Sequence, residues 1–303
     1  MNKSKHSNVC LGRNPRGIVT VLRFTLAILL VVAAQAIFGP VIAAQEFRIY
    51  TRVSQEMGGT PETAGAAKQN AVVARSLTLF HAGKVYDYID SVGEVTIFEP
   101  GRKRFTILST TRTMATQVKF DKLLGKLDIA EKEMEDYVAV PNAKGGPPLK
   151  VAKALTFQLT PDFDTKYAPE GKTLTLNSPF VRYEARCSKA KVPQAVTAYL
   201  HYADWTCRLN YVLHPQTLYP ASRLELNEAL RKHSVMPTEV RLTIAGENPL
   251  QFKAEHEIHW QLDDKDRSYI HRWETLLKDR STRHVDFREY QKAMLVSLSK
   301  RTR

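Results

Sequence analysis

Apolar and polar positions alternate along much of the chain between Glu46 and Val118. In EFRIYTRV (Glu46–Val53), Phe47, Ile49, Thr51 and Val53 share one face, opposite charged or polar partners, which predicts a strand with one buried side. Ser76–Asp90 reads as two strands around Ala82-Gly83-Lys84. Gly93–Leu108 reads as a second hairpin around Glu99-Pro100-Gly101-Arg102, since Pro-Gly presets a tight turn. Thr110–Val118 continues as another strand, and the Gly/Ala/Thr-rich stretch Met57–Asn70 reads as an exposed loop.

The period then changes. Phe120, Leu123, Leu124, Leu127, Ala130, Met134 and Tyr137 recur at helical spacing, and Val140–Pro148 follows as a loop. Ala154–Leu159 and Thr173–Cys187 return to alternation and read as strands. Pro193 opens a helix at a position where its missing N–H costs nothing, and this helix stops before Pro215. Ser222-Arg223-Leu224-Glu225 has the form of a capping box for a helix to about His233. Glu239–Ile244 and Phe252–Leu262 form two more strands. Asp263 and Asp266 cap a helix carrying Ile270, Trp273 and Leu277; a last helix carries Val285, Phe287, Tyr290, Met294 and Leu298. Strands joined by tight turns imply an antiparallel sheet, so the predicted class is α+β.

The first 44 residues stand apart. Lys3, Lys5, Arg13, Arg16 and Arg23 are unopposed by any acid and precede the apolar run Phe24–Phe38. Gly39-Pro40 and VIAAQ follow. This is the layout of a secretory signal peptide, with cleavage near Ala43 or Ala44, and it predicts a periplasmic or extracellular protein. The rival reading is an uncleaved anchor, because Phe24–Ala44 is just long enough to span a bilayer. No cysteine follows the apolar run to accept a lipid, and Arg13 and Arg16 are not adjacent, so there is no twin-arginine signal. Residues 45–303 then form a single domain with a basic helical C-terminus.

Removal of this segment changes both the charge and the cysteine count. The formal charge of +13 falls to +8 once its five basic residues are set aside. Much of what remains lies from Arg272 onward, where Arg280, Arg283, Arg288, Lys292 and Lys300 form a basic face that could meet an anionic membrane surface. With export, that pattern argues against a nucleic-acid partner. Cys10 is lost with the leader. Cys187 and Cys207 remain as an even pair, and a disulfide between them would close a loop of about 20 residues, worth roughly 3 kcal/mol; the alternative is two buried thiols.

The catalytic patterns fail on geometry. HEIH (His256–His259) lacks the i, i+4 spacing of a helical zinc site, and on a strand His256 and His259 face opposite ways. EGKT (Glu170–Thr173) has Lys166 where a phosphate loop needs glycine. Asp87 and Asp90, Asp162 and Asp164, and Asp263, Asp264 and Asp266 are candidate acid–base carboxylates. Each is also explained as a turn or helix cap. No metal or cofactor is implied, and the balance leans away from an enzyme.

Gly93–Phe105, with its Gly-x-hydrophobic-x-hydrophobic and Pro-Gly-basic-aromatic pattern, together with Ala82-Gly83-Lys84-Val85-Tyr86-Asp87-Tyr88, resembles hairpins of the bacterial outer-membrane lipoprotein carrier family. The resemblance covers roughly residues 76–110, with the two hairpins in reverse order. It implies a curved, unclosed half-barrel sheet packed on helices around an apolar cavity that takes acyl chains. On that reading a hydrophobic or lipid-like ligand is bound without catalysis, and Phe80, Tyr86, Tyr88, Val95, Ile97, Phe98, Phe105 and Ile107 are the candidate lining. The alternatives are an exported hydrolase with an Asp/His site and a structural or interaction module of the envelope.

Overall fold

The computed structural model describes residues 46–56 and 71–301. The leader, Cys10, the Met57–Asn70 loop and the side chains of Leu298 and Lys300 lie outside the described residues. Twelve strands form one unclosed, mostly antiparallel sheet among the described residues. Strands β1 (Phe47–Glu56), β2 (Ala71–His81), β3 (Lys84–Ile89), β4 (Glu94–Glu99), β5 (Arg104–Ser109) and β6 (Met114–Lys119) meander along one half. The second half contains β7 (Asp164–Ala168), β8 (Thr173–Asn177), β9 (Val181–Lys189), β10 (Val235–Ile244) and β11 (Leu250–His259). It joins the first where β11 pairs with β1, Thr51 standing opposite His256. The short β12 (Arg283–His284) lies parallel to β6 at the edge.

Alternation gives the sheet two apolar faces, each of which must be covered. Five helices serve one face: α1 (Phe120–Ala139), α2 (Leu149–Leu159), α3 (Pro193–Leu213), α4 (Ala221–Lys232) and α6 (Phe287–Arg301). Their core joins Phe47, Phe80, Phe98, Phe105 and Ile107 of the sheet to Leu123, Phe157, Leu200, Leu226 and Tyr290. On the other face, α5 (Asp264–Lys278) lays Ile270 and Trp273 over Leu79, Tyr86, Val95, Ile97 and Leu108. The chain passes from α5 to α6 through β12, so the small edge strand carries it from one face to the other.

Local chemistry accounts for most element ends. Ala82 and Gly83 both have positive φ, as a two-residue hairpin requires. In the next hairpin Pro100 opens a single 3₁₀ turn and Lys103, not Gly101, takes the left-handed conformation. Asp263 and Asp266 make a reciprocal capping box at the start of α5, as their positions imply.

Four expectations need correction. Ala154–Leu159 is helical, forming the end of α2, where only Phe157 is buried. Asp164, explained from the sequence as a turn residue, opens the edge strand β7 (Asp164–Ala168). Helix α4 begins at Ala221 behind Pro220 without a side-chain cap, so Ser222 lies inside the helix and its buried hydroxyl has no partner. Finally, Cys187 and Cys207 are free thiols, not a disulfide. Cys187 on β9 turns its Sγ to the Ala185 carbonyl, while Cys207 on α3 donates to Asp204 O at 3.2 Å. Burial pushes both thiols up to about 11, which keeps them protonated at neutral pH.

Candidate functional site

A single set of lining residues was expected, but the strand period divides it. Phe80, Phe98, Phe105 and Ile107 face the five-helix side, where Phe98 meets Phe105 and Phe120 at ring-centre distances of 5.3 and 5.7 Å. Tyr86, Tyr88, Val95 and Ile97 face α5, where Trp273 stacks against Tyr86 and meets Tyr88 at a tilt. Seven of the eight are buried in packed side chains, and only Tyr88 borders an open cavity.

That cavity is a groove of about 490 Å³ beside the start of α5. Tyr50 of β1, Val72 and Leu77 of β2, Tyr88 of β3 and Tyr269 of α5 form its apolar floor; Arg48, Arg75 and Lys265 with Asp90 and Asp266 form its rim. Its position follows from an irregularity in β2. Val53 pairs with Ala74 but Ser54 pairs with Val72, so Val73 is an extra, unpaired residue. The bulge brings Val72 to the same face as Ser54 and Tyr50. Tyr50, Val72 and Val73 remain 38%, 41% and 50% exposed because α5 begins too late to cover them. These are large apolar groups gathered in one place, not scattered singly.

The charges on the rim are unequally compensated. Arg48 is held by Asp263 at 2.6 Å and Asp266 at 2.9 Å. The cap and the cation together hold the Asp263 carboxyl below its ordinary range, with the backbone hydrogen bond from Asp266 the larger cause. Asp90 accepts from the Tyr88 hydroxyl at 2.9 Å. Among the described residues, neither Arg75 nor Lys265 has a carboxylate within ion-pair distance. Lys265 instead lies 5.8 Å from the centre of the Tyr269 ring. Arg75 is also directly opposite Arg52 across β1 and β2, a like-charge pairing that costs stability. Arg52 is bound to Glu255 at 2.6 Å. The groove therefore offers an apolar floor and, at its rim, two cations, Arg75 and Lys265, with no carboxylate partner among the described residues, beside Asp90.

The candidate carboxylates disperse. Asp162 and Asp164 sit at the β7 edge, and Asp264 lies exposed in the first turn of α5. His256 turns inward from β11, whereas His259 is on the opposite side of the strand, against Glu257. Asp87 alone enters the five-helix core. It accepts from Thr78 at 2.7 Å and also from Tyr202 and Ser76, yet burial outweighs these bonds and raises its pKa. Its neighbour Glu94 accepts from Tyr290 at 2.7 Å, and its pKa is raised by burial and by the Asp87 charge. These two carboxyls face packed side chains, so they are better suited to holding protons than to meeting a substrate. No helix among the described residues is long and apolar enough to cross a membrane.

No family model matches the chain, and no curated protein matches it.

The groove was hidden in the sequence because Val72 joins the directly paired Tyr50 and Leu77 on one face only through the bulge at Val73. The sole forward signal was the apolar pair Val72-Val73 flanked by small residues ahead of Arg75.

Proposed function

We propose that this protein is a non-enzymatic carrier or receptor for a single-chain anionic amphiphile, a long-chain carboxylate, bound on the α5 face of the sheet. The hydrocarbon chain lies over Tyr50, Val72, Leu77, Tyr88 and Tyr269, and the carboxylate meets Arg75 and Lys265. The observation that carries this reading is Arg75. An arginine with no carboxylate partner among the described residues, set opposite another arginine and bordering an exposed apolar groove, calls for an anion that brings its own apolar surface. The groove's volume falls within the roughly 300–1,000 Å³ typical of small-molecule sites.

The leader pattern of residues 1–44 supports the cell envelope as its location, where such ligands occur beside membranes. The basic positions Arg280, Arg283, Arg288 and Lys292 support an encounter with an anionic lipid surface during loading or delivery. The apolar, densely packed interior that the carrier resemblance would assign to the ligand is filled by Phe98, Phe105, Phe120 and Trp205, which favours the outer groove instead.

Titration with oleate, with oleyl alcohol as the uncharged control, tests the reading. Saturable binding of oleate that weakens for the alcohol supports it, and no binding of either removes it.

A further inference from the structure

A second cluster, on the opposite face of the sheet, carries an inference independent of the groove. Arg223 projects from α4 into the five-helix core. It is surrounded by protein yet keeps some accessible surface. Its Nε donates to Asn227 Oδ1 at 3.0 Å, but among the described residues no carboxylate lies within ion-pair distance. The neighbouring acid, Asp204, is already taken by Asn227 Nδ2 at 2.8 Å and by Arg231 at 2.6 Å. Arg223 instead donates to the Tyr199 hydroxyl oxygen, with Tyr183, Cys207 and His256 close by. A guanidinium is a costly group to enclose without a counter-charge.

His256 supplies the second observation. Its Nδ1 is 2.9 Å from Thr51 Oγ1, and its Nε2 is fully buried with no partner. Burial and, secondarily, the Arg223 charge push its pKa down to about 4, so the ring is neutral at ordinary pH. When Thr51 donates to Nδ1, the proton sits on Nε2 and this buried N–H lacks an acceptor. The Tyr199 oxygen accepts from Arg223 without offering a charge, so the guanidinium lacks an anion, and in this tautomer the imidazole N–H lacks an acceptor beside it.

We propose that Arg223, Tyr199 and His256 form an interior binding site for a small oxyanion, a carboxylate or phosphate, with Arg223 as the charge that selects it. The anion accepts from the guanidinium in the two-pronged geometry that arginine favours and supplies the acceptor missing at His256 Nε2. Cys207 flanks the site as a protonated thiol and takes no part in covalent chemistry.

The test uses nitrogen-labelled full-length protein and follows the His256 ring nitrogens by long-range proton–nitrogen correlation. It is titrated separately with acetate and with inorganic phosphate, which tells the two sources of oxyanion apart. The proposal expects a saturable shift of His256 Nε2 with at least one of them, and a shift at exposed His259 that does not saturate. Arg223→Lys keeps the charge but loses the fork and should weaken the interaction by at least about tenfold. Should that variant fold poorly, the wild-type titration remains decisive. A His256 signal that stays still across a titration that moves His259 overturns the proposal. So does an equal affinity in a folded Arg223→Lys variant. Arg75→Glu leaves the His256 response intact, so failure of the groove and failure of this site are distinguishable.

Discussion

Arg75 stands directly across β1 and β2 from Arg52, and among the described residues only Arg52 of the two has a carboxylate within reach, Glu255 at 2.6 Å. Cross-strand neighbours of like charge destabilise a sheet, so the pairing is a cost in the free protein. Arg75→Thr is expected to raise unfolding stability by about 0.5 kcal/mol, since it removes the repulsion and improves strand propensity. Urea denaturation of the ligand-free protein checks this. A residue that is better replaced for stability is one whose use lies elsewhere.

Trp273 anchors the α5 face. It is only 3% exposed and packs against Tyr86, Tyr88 and Tyr269. Trp273→Ala should cost about 3–5 kcal/mol, within the range for large core truncations, and loosen the groove wall formed by Tyr88 and Tyr269. Thermal unfolding measures the first effect, and the second appears as weaker oleate binding at temperatures where the variant remains folded.

Asp87 predicts a stability that falls as pH rises. Its folded pKa lies above the unfolded value, so the native state holds a proton after the unfolded chain has lost it. The group's favourable contribution is therefore complete below the unfolded pKa and is lost as pH climbs through the folded one. Asp87→Asn, which still accepts from Thr78, should raise the urea midpoint at pH 7. Its advantage should shrink as pH approaches 4.

His256 acts in the opposite sense. Its pKa falls from 6.5 to about 4 on folding, so between those values the unfolded chain binds a proton that the native state refuses. Stability is full above pH 6.5 and declines by up to about 3 kcal/mol as pH drops to 4. His256→Gln should flatten that part of the profile. Comparison of denaturation midpoints for wild type and variant across this window isolates the effect from the Asp87 one.

The sheet was legible wherever one residue in two is apolar over a full strand. Phe47–Ile49 and Val95–Ile97 state their faces, and Pro193 and Asp263 announce helix starts through backbone chemistry that acts locally. Ala154–Leu159 was misread because a largely exposed helix with one buried anchor, Phe157, shows too little pattern to separate the two periods. Ser222 shows a different limit. It has the residue types of a capping box, but Pro220 starts the helix earlier and the hydroxyl is buried instead. The cysteine pair failed because proximity in sequence says nothing about where two sulfurs point, and each here turns to a local carbonyl.

Of the candidate lining, the residue types were right for an apolar interior but alternation places them on two faces, so they could not surround one ligand. The groove depends on a single unpaired residue, Val73, and on where α5 begins. The bulge is not encoded in a local pattern, and although Asp263 marks where α5 begins, which strands the helix leaves uncovered is set by tertiary packing.

The central claim is tested most directly by isothermal titration calorimetry of oleate into the full-length wild-type protein and into Arg75→Glu. The account predicts saturable binding to wild type and affinity lower by about tenfold for the variant, the scale of reversing one partly exposed charge contact. No saturable heat with wild type, or the same affinity in both proteins, would contradict it.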